Sequence, residues 1–131
     1  MSEQRNAYKG APPRPWLRLS LIAADGTVKT LELLADTGNP CAIIVDAATL
    51  RDFNQGLAPG LSTNFGTLDG GWLRVQIPEV ALDEDVLGYG SDVVAQAADE
   101  SHPDFAGLAG LPLLRLIEYG GDRDSFWIRT S

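Results

Sequence analysis

Polar and apolar residues alternate most clearly over Trp16–Ile22. Leu17, Leu19 and Leu21 fall on one face, and Trp16, Arg18 and Ser20 on the other. That period of two marks a half-buried strand. Asp25-Gly26 is a tight-turn pair, and residues 28–35 resume the alternation with Leu31, Leu33 and Ala35 together. The two segments read as a β-hairpin. Residues 42–45 predict a short β-branched strand. Asp46 is placed to N-cap a helix over Ala47–Phe53, with Gly56 as its stop and residues 56–64 as loop. Thr67-Leu68-Asp69-Gly70-Gly71-Trp72 carries a second hairpin-turn signal, followed by a strand over 72–77 that Pro78 ends. Residues 80–82 and 91–97 are further strand candidates. Pro112 fits the first turn of a helix over 111–119, whose apolar face is Leu113, Leu114, Leu116 and Ile117, with Gly120 at C′. Residues 125–129 predict a last strand. The pattern as a whole is mostly β, with one or two short helices.

Composition refines this picture. A chain of 131 residues holds one ordinary domain, and 44% hydrophobic with 21% charged residues is the balance of a globular protein. Residues 1–15 hold three prolines and few groups that pack. They are expected to be a flexible arm ahead of a single domain over 16–131. The net charge of −8 and the scattering of Arg14, Arg18, Arg51, Arg74, Arg115, Arg123 and Arg129 argue against a nucleic-acid partner. No apolar run reaches the ~18 residues of a membrane span, so no membrane partner is expected and the plain expectation is a cytoplasmic protein. The single cysteine excludes an internal disulfide, and Cys41, in an apolar run, reads as a buried structural thiol.

The candidate chemistry is narrow. One His and one Cys do not make a zinc site, and His102 lies in a polar loop. No phosphate-binding glycine loop is present. The acidic groups at 83–85 and 122–124 lack calcium-loop spacing and read as solvated loops. No metal or organic cofactor is implied. What remains is Leu33-Leu34-Ala35-Asp36-Thr37-Gly38-Asn39, a carboxylate at the end of an apolar strand. That is an unusual place for a group that resists burial.

In the order of its parts the chain resembles the retropepsin-like aspartic proteases. A hydrophobic strand runs into Asp36-Thr37-Gly38, and a glycine-bearing turn, Leu68, Asp69, Gly70, Gly71 and Trp72, follows at the place of the flap. Leu108-Ala109-Gly110 then precedes a leucine-rich helix and a final strand. The resemblance implies a retropepsin-like, closed or partly open β-barrel that forms dimers. It also implies a homodimeric aspartic endopeptidase acting on peptide or protein substrates. Asp36 would be the catalytic carboxylate, braced by Thr37 and Gly38, with Leu108, Ala109 and Gly110 as the pocket floor. Because Asp-Thr-Gly occurs once, the second carboxylate of the pair would come from a second copy of the chain. Asn39-Pro40 departs from the family, where Ser, Thr or Ala is commoner after the triplet. A non-catalytic dimerisation or peptide-binding module on the same fold is the other reading.

Overall fold

The computed structural model describes residues 3–64, 66–101 and 105–130. The strands are β1 (Glu3–Ala7), β2 (Trp16–Ile22), β3 (Val28–Asp36), β4 (Ile43–Val45), β5 (Asn54–Thr63), β6 (Gly66–Ile77), β7 (Leu82–Gly90), β8 (Phe105–Gly110), β9 (Glu118–Gly121) and β10 (Ser125–Arg129). The helices are α1 (Ala47–Phe53), α2 (Asp92–Ser101) and α3 (Leu111–Leu114), with a 3-10 turn at Pro78–Val80. One sheet has the order β2-β3-β8-β4-β7-β6-β5, and an added β2–β6 pairing closes its first six strands into a barrel. A second sheet, β1-β10-β9, lies outside that barrel. The molecule is mostly β with short helices, as the sequence pattern predicts.

The alternation read from the sequence is what fills the barrel. Leu17, Leu19, Leu21, Leu31, Leu33, Leu73, Val75 and Ile77 enter one buried cluster with Ile43, Val45, Ala109, Leu113 and Leu114. Burying each large side chain there is worth roughly 1.5–3 kcal/mol, which is why register is tightly held: a one-residue slip would turn the whole set outward. Trp16 packs on the other side of β2, against Ala98 and Phe105.

Strands β3 and β4 are consecutive but do not pair. Strand β8 runs between them, parallel to β3 with Asp36 opposite Gly110, and antiparallel to β4. The chain therefore leaves β3 at Asp36, loops around the end of β8, and returns as β4. This loop carries the residues of interest.

Several expectations are corrected. Glu3–Ala7 is not a flexible arm but a strand paired with β10. Gln4 holds its inner face: its amide donates to the Arg18 carbonyl at 2.9 Å and accepts from the Arg18 N–H at 2.7 Å. Trp16 Nε1 adds a bond to the Ala7 carbonyl at 2.7 Å. The loop expected over 56–64 is strand β5, which follows α1 directly at the Asn54 cap, so Gly56 stops nothing. The segment 67–72 is not a turn, since Leu68, Asp69, Gly70, Gly71 and Trp72 all lie inside β6. The glycines there serve close packing: a Cβ on Gly70 would lie 2.5 Å from the Pro59 carbonyl oxygen, and one on Gly71 would lie 2.8 Å from Asn54 Cβ. Val80 belongs to the 3-10 turn, and the acidic residues 83–85 lie in β7, where Asp83 accepts from Arg74 at 2.9 Å. The segment 91–97 is not a strand. Ser91 accepts from the Val94 N–H at 3.2 Å and opens α2, overriding the β-branched Val93-Val94 pair. The helix at 111–119 ends at Leu114, and Tyr119 and Gly120 lie in β9. A Cβ on Gly120 would collide with the Trp127 ring, so that glycine serves strand packing and not a helix end. His102 lies outside the described residues. No described helix is long and apolar enough to cross a membrane.

Candidate active site

Asp36 is the last residue of β3, half-buried, with its backbone set by the parallel pairing to Gly110. The loop after it is closed by Asn39 N–H donating to the Asp36 carbonyl at 3.1 Å. Asp36 Oδ1 accepts from the Gly38 N–H at 3.0 Å. Among the described residues Asp36 makes no ion pair, and its other oxygen takes no donor. The loop is fastened to β8 by Gly110 N–H on the Ala42 carbonyl at 2.9 Å and Leu111 N–H on the Asn39 carbonyl at 3.1 Å. A Cβ on Gly110 would fall on the Cys41 carbonyl oxygen and within 2.7 Å of the Asn39 carbonyl oxygen. Glycine is thus required there, because only a bare backbone fits inside the loop.

Gly38 differs. A Cβ there would stand 3.4 Å from Asp36 Oδ1, an ordinary contact, so the isolated protomer does not require a glycine. Thr37 and Gly38 are exposed and face away from the chain's own core.

Beside Asp36 lies a cavity of about 440 Å³. Its walls are Leu34 and Asp36 from β3, Asn39, Pro40 and Cys41 from the loop, Ile44 from β4 and Leu108 from β8. The β5–β6 hairpin overhangs it with Leu61, Thr63, Asn64 and Leu68, and α2 closes a side with Val94, Ala97 and Ala98. The lining is apolar apart from Asp36, Asn39 and the hairpin tip. Among the described residues the cavity holds no second carboxylate. Burial pushes the Cys41 thiol up, which keeps it a neutral wall residue and not a nucleophile.

Of the expected pocket-floor residues, Leu108 lines the cavity and Ala109 does not. On a strand neighbours point to opposite faces, and Ala109 is fully buried in the barrel interior. Gly110 acts behind the loop, as described. The overhanging hairpin exists, but its strands meet between Thr63 and Gly66 and not at 68–72. Leu68 faces the cavity, and Trp72 lines a separate depression with Leu87, Tyr89, Pro112 and Leu116. The sequence reading missed the α2 wall, although Val94 and Ala98 stand at helical spacing behind a Ser91 cap and Asp92. Among the described residues no group of three or more His, Cys, Asp or Glu is placed to hold a metal ion.

Among solved structures the chain is similar to the protease of EIAV in complex with the inhibitor HBY-793. The two share 13% identity with a TM-score of 0.47, over 78% of this chain and 86% of that one. No family model matches the chain, and no curated protein matches it.

Proposed function

We propose that the chain is one subunit of a homodimeric, retropepsin-like aspartic endopeptidase in which Asp36 supplies one of two paired carboxylates. The observation that carries this reading is the placing of Asp36. It sits at a strand end in the wall of an apolar cavity, with one oxygen held by the Gly38 N–H and, among the described residues, no cation paired with it. Amide hydrolysis needs a base to activate water and an acid to protonate the leaving nitrogen. Two carboxylates in contact provide both, because like charges that close hold one shared proton between them. Since the described lining of the cavity holds one carboxylate, the second is the Asp36 of another copy, approaching across the exposed Thr37-Gly38 face. An extended peptide would lie beneath the β5–β6 hairpin with a side chain in the cavity.

The test is hydrolysis of a peptide library by the wild-type protein and by Asp36→Asn. Turnover that vanishes in the variant at unchanged melting temperature, and that rises more than linearly with protein concentration, supports the reading. A wild-type protein that binds peptides without cleaving them at any concentration would sink it and leave a peptide-binding module on the same fold.

A further inference from the structure

Asn39 breaks a rule that the buried polar side chains of the other described residues obey. It is 8% exposed, and its Nδ2 is buried with no acceptor among the described residues. Leaving a buried donor unpaired costs about 1–3 kcal/mol, and native proteins seldom do so without a reason. An amide flip does not remove the problem. Oδ1 accepts from the Cys41 N–H at 3.0 Å, so exchanging the two ends would set donor against donor. The Nδ2 end is therefore fixed in place, and the missing acceptor must come to it.

Asn39 and Asp36 sit three positions apart in one hydrogen-bonded turn and line the same cavity wall. Asp36 has one oxygen tied to the Gly38 N–H, while the other is without a donor among the described residues. The other titratable or charged groups around Asn39 are few. The Cys41 thiol lies on the cavity side, and Arg115 lies in the neighbouring depression with Thr37, Leu111 and Pro112. Neither is an acceptor of comparable strength. We propose that Asn39 is a positioning residue for Asp36: its Nδ2–H takes the free Asp36 oxygen when that carboxylate turns toward it within the single chain, holding the carboxylate at a fixed angle between two donors. The inference deepens the protease reading and uses its site. The pairing it names belongs to the single chain.

The test has a spectroscopic arm and a kinetic arm. In 15N-labelled protein the Asn39 side-chain amide is identified by its loss in Asn39→Asp. Its resonance is expected to shift with pH in a single step that disappears in Asp36→Asn. A resonance that ignores pH, or that shifts equally in Asp36→Asn, overturns the proposal. In kinetics, Asn39→Ser keeps both an acceptor for the Cys41 N–H and a donor, and is expected to retain most of kcat. Asn39→Asp keeps the acceptor but loses the donor at neutral pH. It is expected to lose about tenfold to a hundredfold in kcat at unchanged KM. The loss should shrink as pH falls and the new carboxyl regains its proton. Equal loss in both variants, or a loss independent of pH, overturns the positioning role. A wild-type protein without hydrolytic activity would sink the protease reading alone, because the amide resonance still reports the Asn39–Asp36 pairing.

Discussion

At the residue scale, the protein places its demands on a few backbone contacts around one loop. Gly110→Ala is expected to cost ~3 kcal/mol or more in denaturant unfolding, since its Cβ would displace the Cys41 and Asn39 carbonyls. Gly38→Ala is the informative contrast. The protomer has room for that methyl, so the melting temperature should hold while turnover falls if a second Asp-Thr-Gly loop docks there. Asp46 is a purely structural carboxylate. Burial pushes its pKa up, but the hydroxyl and N–H of Thr49 and the charge of Lys29 outweigh that and bring it below the usual aspartate value. Because its folded value is the lower one, the stabilisation is complete above about pH 4 and drains away as pH falls through the folded value. Asp46→Ala should cost ~1 kcal/mol at neutral pH. The gap between wild type and variant, followed by thermal melts down the pH scale, should close in acid. Asp36 stood out in the sequence because a carboxylate ending an apolar strand needs explanation. Asn39 was visible only as a departure, since neither its burial nor its unpaired nitrogen follows from residue type.

At the element scale, strands with strict alternation were legible in the sequence: β2, β3 and the second half of β6 lie where the pattern predicts. The hairpin over the cavity was not. Its strand β5 is rich in Gly, Ala and Pro, none of its residues is buried, and it is held in place by its pairing with β6. The Asp69-Gly70 pair looks like a turn locally, but ladders to β7 on one side and β5 on the other hold it extended. Helix α3 stopped early because Glu118–Gly121 gains more by pairing with β10 than by adding a helical turn. One element carries local strain. Ala81, which ends the 3-10 turn, has φ of 54°, a region costly for a residue with a Cβ. Ala81→Gly should raise stability by up to ~1 kcal/mol in urea unfolding.

At the scale of the whole molecule, the barrel is closed by few bonds and supported from outside. Ser20–Ile22 against Arg74–Gln76 seals β2 to β6, and β1 with β10 and β9 forms a separate layer. Removing residues 1–7 would leave β10 with an open edge and the Arg18 backbone without Gln4. That truncation should unfold at lower denaturant and associate through the bared strand, as sedimentation would report. The β1–β10 pairing also fixes how the molecule responds to force. Glu3 lies opposite Arg129 and Ala7 opposite Ser125, so the first and last strands meet with their outer ends side by side. Handles attached at the two ends would peel this pair open one rung at a time, and not load all its hydrogen bonds in shear. Under tension the outer layer would yield first, at low force, while the barrel and the Asp36 loop stay whole.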